Sequence, residues 1–446
     1  MKKGSMFSTR DIAAIIWPII IEQLLMVFMG MADTFMVSSA GDEAVSGISL
    51  VDSINVLIIQ LFSALATGGA VVVAQYLGKR DNESAEEAAK QLIWMSSLIS
   101  AGFSALSLAA NRPLLSLIFG SIEQSVMTNC RVYFYVTAIS FPFLAIYNSG
   151  AAIFRATGNS RISMAVSIIS NLFNIAGNAL LIYGFDMGVL GAALSTLLSR
   201  ILSAVIMMLY IKRPDQPVTV NGLLKVRFNG AMIKRILSIG IPNGLEGGMF
   251  QGGKLIVQSM ISTLGTPAIT ANSICNIIAN ITNVPGNAVC FAMTSVVGKC
   301  VGADEYDEAV YYTKKMSGMT YAMMAVFNAA VFIFAAPLTQ LFDISAEAIA
   351  ISIPVLRQYT VATVVFWVPS FSIPYAMRAA GDARFTMIVS ILSMFILRVG
   401  FSYVLTAIVP LGIMGIWIAM EIDWVGRSIS YIIRFIQGGW KKKKVV

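Results

Sequence analysis

Twelve apolar stretches, separated by short polar breaks, run the length of this chain. They lie near 12–38, 48–77, 91–111, 131–154, 162–184 and 189–211. After a polar stretch at 212–235, six more follow near 236–263, 268–298, 316–336, 351–377, 385–407 and 411–434. At ~1.5 Å per residue, about 20 apolar residues cross a hydrocarbon core ~30 Å thick as a helix. The pattern therefore predicts an all-α integral membrane protein with twelve transmembrane helices. The first stretch, Ile12–Ser38, follows the charged start MKKGSMFSTRD. It is too long for a signal-peptide core and has no A-x-A cleavage pattern, so it is read as a retained span.

Composition agrees: 57% of the 446 residues are apolar and 12% are charged, where a soluble domain carries about 25% charged residues. Mean hydropathy is +0.77. There is no histidine, which removes the commonest general base and metal ligand. Cys130, Cys275, Cys290 and Cys300 form no C-x-x-C pair, and neither a zinc site nor a disulfide framework is indicated.

Basic residues occupy alternate loops. One set holds Lys2, Lys3, Arg10, Lys79, Arg80, Lys90, Arg155, Arg161, Lys212, Arg213, Lys225, Arg227, Lys234, Arg235, Lys299, Lys314, Lys315, Arg378, Arg384 and the tail lysines. The opposite set has only Arg112, Arg131 and Arg357, with the acids Asp42, Glu43, Glu123, Asp186, Asp343 and Glu347. The positive-inside rule then places both termini in the cytoplasm, in the inner (plasma) membrane. The Lys441–Lys444 run would meet anionic lipid headgroups. Spread along one membrane side, the basic charge does not mark a nucleic-acid partner.

The chain also repeats itself. Pro18, Glu22 and Gly41 recur as Pro242, Glu246 and Gly265 at a spacing of 224 (242 − 18). IFRATGNSR at Ile153–Arg161 recurs as AMRAAGDAR at Ala376–Arg384, with Arg155 matching Arg378 at 223 (378 − 155). One register held across separated patches indicates duplication. Each half has an even number of spans, so both halves point the same way. The expected architecture is two parallel six-helix repeats around a central cavity. The domains are 1–211 (N-terminal lobe), 212–235 (cytoplasmic connecting loop), 236–434 (C-terminal lobe) and 435–446 (basic cytoplasmic tail).

Four segments carry a resemblance: MGMADTFMVSSAG after Pro18, VAQYLGKRD, FRATGNSR and NLFNIAGNALLIYG. As an ordered set they resemble the multidrug and toxic compound extrusion (MATE) family of the larger flippase superfamily, over essentially the whole chain. The resemblance implies an antiporter that exports amphipathic, often cationic organic compounds by alternating access, driven by inward sodium or proton flow. No cofactor beyond that coupling ion is implied.

Candidate chemistry gathers in the first half. Asp33 lies in an apolar helix near its outer end. Asn171, Asn174 and Asn178 fall on one face of the fifth span at i, i+3 and i+7. Asp33, Asn178 and Thr196 lie within about two helical turns of the outer surface. A carboxylate, two amides and a hydroxyl at one depth suit a hard cation such as sodium, and equally a hydrogen-bonded protonation site. The resemblance places Asp33, Asn174 and Thr196 at family positions. Asn178 departs from a pattern in which an acid often occurs there. The plainer alternatives are an interfacial cap for Asp33 and helix–helix packing for the asparagines, Asn171 above all. Intramembrane acids are functional by default, which favours the coupling role for Asp33.

In the second half PNGLEGGMFQGGKLIVQ places Glu246, Gln251 and Lys254 in or near the membrane as a candidate substrate cavity. Structural ion pairs are the plainer reading for Glu246 and for Arg398, Glu421, Asp423 and Arg427, with Arg427 expected to anchor at the inner surface. Pro142, Pro285, Pro369 and Pro374 fall inside spans and should bend them. No H-E-x-x-H, G-x-S-x-G or P-loop occurs, which argues against a membrane enzyme or a nucleotide-driven pump. A lipid-linked oligosaccharide or polysaccharide flippase of the same superfamily is the alternative transporter. The partners expected are small organic molecules and membrane lipids, around a monomer.

Overall fold

The computed structural model describes residues 6–120, 122–222, 227–342 and 344–446. Lys2, Lys3, Lys225 and Asp343, used above for orientation, lie outside the described residues. The first half runs α1 (Thr9–Ser38), α2 (Asp42–Gly78), α3 (Asn82–Ala109), a short α4 (Asn111–Phe119), α5 (Gln124–Ile139), α6 (Phe141–Thr157), α7 (Ser160–Asn178) and α8 (Gly188–Ile211). The second runs α9 (Gly230–Ser262), α10 (Thr266–Gly302), α11 (Tyr306–Ile333), a short α12 (Ala335–Gln340), α13 (Ala346–Ala362), α14 (Val368–Ala379), α15 (Ala383–Leu392), α16 (Gly400–Tyr403) and α17 (Gly412–Gln437).

Among the described residues nine of these helical stretches are long and apolar enough to cross a membrane, and α5 with α6 makes a tenth, bent by 49°. The bend falls where Pro142, at the start of α6, cannot donate its backbone to the preceding turn. Helices α9 and α17 complete the twelve-helix layout. Glycines with Asn243, Glu246, Gln251 and Lys254 dilute the hydropathy of α9, and Glu421, Asp423 and Arg427 interrupt α17.

Local chemistry sets the ends. Ser8 caps α1 by accepting from the Asp11 amide (3.1 Å), while Asp11 accepts from the Ser8 amide (2.8 Å). Asp81, Asn229 and Ser345 cap α3, α9 and α13 in the same manner, at 3.0, 3.1 and 3.2 Å.

The duplication is written in the backbone. Left-handed residues pair as Gly41 with Gly265 (φ 99° and 91°), Arg80 with Asp304 (61° and 59°), and Gly158 with Gly381 (95° and 100°). Gly188 with Gly412 (48° and 57°) completes the series. The spacing is 224 for the first two, 223 at Gly158 (381 − 158) and 224 again at Gly188 (412 − 188). One residue has been added to the second half between Gly381 and Gly412. That interval holds a π-helical turn, Ser393–Val399, in addition to Val404–Ile408, the counterpart of Ala179–Gly184 in the first half. A π turn is the form a single inserted residue takes inside an α-helix.

Two compact units result: Ala13–Gly244, and the segment up to Ile12 together with Leu245–Val446. In the first, Val51, Phe62, Phe134 and Phe141 form part of a buried cluster, with Phe62 set edge-on to Phe141 at 6.2 Å. Gly68 of α2 faces the backbone of Ile236 and Gly240, an approach that a Cβ would block. In the second, Tyr359 packs edge-on against Trp417 (5.2 Å) and Trp424 (5.9 Å). All four cysteines are buried and unbridged. Large side chains such as Phe35, Leu117, Leu341 and Ile436 point outward, as the solvent of a membrane helix requires.

Candidate functional site

In the first unit a polar chain links three helices. Asn178 Nδ2 of α7 donates to Asp33 Oδ1 of α1 at 2.5 Å and also approaches Asn174 Oδ1 at 3.3 Å. Asn174 Nδ2 donates to Ser195 Oγ of α8 at 3.4 Å, and Ser195 Oγ donates to the Asn174 carbonyl at 2.7 Å. Ser195 fits there because Gly177 leaves space for its hydroxyl. Asn174 and Asn178 are buried, whereas Asp33 is half-buried. Asn178 Oδ1 is a buried acceptor with no donor. A buried polar oxygen left unmatched beside a carboxylate is a place for a cation or a proton donor.

Asp33, Asn174 and Asn178 thus meet, and the face of α7 read from the sequence is the face that carries them. Thr196 neighbours the chain, but the hydroxyl that joins it belongs to Ser195. The Thr196 carbonyl accepts from Ser199 at 2.9 Å. Asn171 donates to Ser167 on its own helix at 3.4 Å, and does not join the Asp33 chain.

Sequence reasoning missed a second layer. Asp52, Tyr133 and Arg200 lie close enough to influence one another and Asp33 electrostatically. Arg200 donates to Ser140 Oγ at 2.7 Å, and Asp52 accepts from Asn55 at 3.2 Å. The available signal was the rarity of ionisable side chains inside apolar helices. Counted together with Asp33, this layer sets two carboxyl groups against one guanidinium.

In the second unit, Glu246 and Arg378 form an ion pair at 2.7 Å, and Ser390 donates to the same Glu246 oxygen at 2.7 Å. Their repeat counterparts, Glu22 and Arg155, meet at 3.3 Å. Glu22 also accepts from Tyr147 (3.2 Å) and Ser163 (3.1 Å). Glu246 is therefore the structural ion pair that was its plainer reading, and it does not line the nearby cavity. Arg427, expected at the inner surface, is instead buried and paired with Asp423 at 2.8 Å, one turn away on α17. A carboxylate at that depth holds the guanidinium better than a distant headgroup. A cavity of about 100 Å³ is lined by Lys254, Gln258, Asn272, Arg398, Trp417 and neighbouring apolar side chains. Gln251 lies half-buried outside its lining.

The MatE family profile matches residues 18–180 and 242–404, one match in each half. The chain belongs to the MatE family. An uncharacterized transporter, YisQ of Bacillus subtilis (strain 168), is 30% identical over 95% of this chain and 93% of its own. A probable multidrug resistance protein, NorM of Thermotoga maritima, is 25% identical over 98% of this chain and 94% of its own. Among solved structures, a MOP superfamily transporter from Pyrococcus furiosus Vc1 superposes with a TM-score of 0.90, at 22% identity over 98% of this chain and 97% of its own. A multidrug resistance MATE family transporter in its outward-facing conformation gives 0.88, at 22% identity over 96% and 94%.

This MatE chain is thus a multi-pass membrane transporter, with the twelve-helix repeat layout of its family. The matched segments contain Asp33 and Asn174 in one half and Lys254 and Arg398 in the other. The same stretch of a duplicated family carries an acid in its first copy and bases in its second.

Proposed function

We propose that this MatE transporter is a cation-coupled antiporter that exports amphipathic organic compounds, with Asp33 taking up the coupling ion. The observation that carries the reading is the Asp33–Asn178–Asn174–Ser195 chain, which ends a carboxylate on a buried, undonated amide oxygen. Oxygen donors around one carboxylate suit sodium, and the same hydrogen bonds suit a shared proton. Relatives named probable multidrug resistance proteins support an organic cargo. The basic loops support cytoplasmic termini in the inner membrane, which puts the Asp33 end of α1 on the outside, where the ion enters.

Charge neutralisation at Asp33 changes how α1 packs on α7 and α8. That drives transport only if the ion binds one conformation better than the other. Asp33→Asn keeps shape and hydrogen bonding but cannot carry the charge. It is expected to fold and insert normally and to lose gradient-driven export of a fluorescent dye from everted vesicles, with sodium and pH gradients imposed separately. Wild-type export by Asp33→Asn under both gradients overturns the coupling role.

A further inference from the structure

The second unit holds an excess of positive charge that the coupling scheme does not use. Lys254 Nζ, Arg398 Cζ and Arg427 Cζ all gather over one ring, Phe250, at 5.2, 5.5 and 5.6 Å. Asp423 lies among them, but both its oxygens are engaged. Oδ1 accepts from Ser393 at 2.6 Å, and Oδ2 from Arg427 at 2.8 Å. Glu421 is turned to Gln358. Among the described residues neither Lys254 nor Arg398 has a carboxylate within ion-pair distance, and Arg398 Nε is buried with no acceptor. Arg427 is also held by Asp423 and by the Phe371 ring at 4.7 Å. For Lys254 and Arg398 the weak attraction of the Phe250 ring does not cancel their mutual repulsion in a low-dielectric span.

Lys254 and Arg398 also line the cavity of about 100 Å³, with Lys254 exposed at it. A liquid water takes ~30 Å³, so the space suits an anionic head group and the start of an apolar body. Val257, Ile261, Ile416, Trp417 and Met420 supply the apolar wall.

The duplication shows that this polarity is a departure between the halves. At the spacing of 224 fixed by Gly41 and Gly265, Asp33 corresponds to Val257, and Gly30 to Lys254. The acid of the first copy has become apolar, and a cation has appeared one turn away. Arg398 stands on Ser393–Val399, the π turn where the second half gained its extra residue. Such insertions re-aim side chains and recur at functional sites.

We propose that the cavity between Lys254 and Arg398 is an anion subsite, taking the carboxylate of an amphipathic organic anion or zwitterion while the apolar body lies against Trp417 and Ile416. Lys254 meets the carboxylate as a point charge, and Arg398 offers it a planar fork of N–H donors. This deepens the exporter reading by naming a substrate class and rests on that reading only for calling the ligand a substrate, since the binding itself needs no gradient.

Two dyes of one xanthene skeleton test it: fluorescein, which carries a carboxylate, and rhodamine 6G, a cationic ester. Fluorescence anisotropy of each is measured against the full-length protein in lipid nanodiscs. Wild type should bind fluorescein saturably. Lys254→Gln and Arg398→Gln should each weaken it about tenfold or more, the loss of one charge-assisted contact. Neither should weaken rhodamine 6G, and Lys254→Arg, which keeps the charge, should retain fluorescein. The conserved rhodamine 6G affinity and an unchanged size-exclusion profile separate a lost contact from a misfolded chain. No saturable fluorescein binding by wild type, or equal binding by wild type and the two glutamine variants, overturns the proposal. Failure of the antiport reading would show differently, as absence of gradient-driven export by wild type with fluorescein binding intact.

Discussion

Replacing Arg378 with methionine asks how much the second unit depends on its half-buried ion pair. Arg378 donates to Glu246 at 2.7 Å and to Thr386 at 3.2 Å, and it sits 5.0 Å over the Tyr375 ring. Without it, Glu246 keeps one donor, Ser390, while its other oxygen is buried with none. Stranding a buried charge costs about 3–5 kcal/mol. The repeat counterpart, Arg155→Met, leaves Glu22 with two donors, Tyr147 and Ser163. A hydrogen bond to a charged group contributes about 1.5–3 kcal/mol, so Arg155→Met should cost less by about that amount. Depth acts the other way, since the Glu22 side chain is 4% exposed and Glu246 15%. Both values are low enough for the donor count to decide. In thermal melts of the detergent-purified protein, at ~2–4 °C per kcal/mol for a unit of 150–250 residues, Arg378→Met should lower Tm by about 10 °C. The double variant Arg378→Met with Glu246→Leu, which removes both charges, should recover most of that loss. A melt in which Arg155→Met is the more damaging, or in which the double variant is no better than the single, refutes the reasoning.

Two further outcomes follow from the site and the loops. Ser195→Ala removes a neutral hydrogen bond from the Asp33 chain. It should weaken coupling-ion affinity by up to about tenfold, and more than Thr196→Ala does, as read from the ion dependence of dye export. With single cysteines in a cysteine-free background, positions 80 and 212 should resist an impermeant thiol reagent in intact cells while 42 and 186 react. The reverse pattern would invert the topology.

Much of the fold was legible because lipid makes hydropathy a direct readout of helices. The charged helices α9 and α17 were recognisable as spans because their places in the order are fixed by the spans around them. The duplication set Glu22 and Arg155 beside Glu246 and Arg378 as matched positions, yet it could not show that each acid meets its arginine, since that contact joins separate helices. The asparagine face of α7 was readable from spacing alone. The choice between Ser195 and Thr196 was not, because adjacent residues differ by ~100° about a helix and the phase of α8 against α7 is a tertiary fact. Asp52, Tyr133 and Arg200 stand in three different helices, and nothing local in the chain marks them as neighbours.

The added residue in Ser393–Val399 means that the two halves of this molecule can no longer be exchanged segment for segment. Transplanting residues 160–184 into the place of 383–408 would put 25 residues where 26 stand and would remove the π turn that carries Arg398. After duplication, then, a change in length has done what substitution alone does not. It has made one copy of a symmetric ancestor permanently distinct from the other, so that charge, register and role now diverge together.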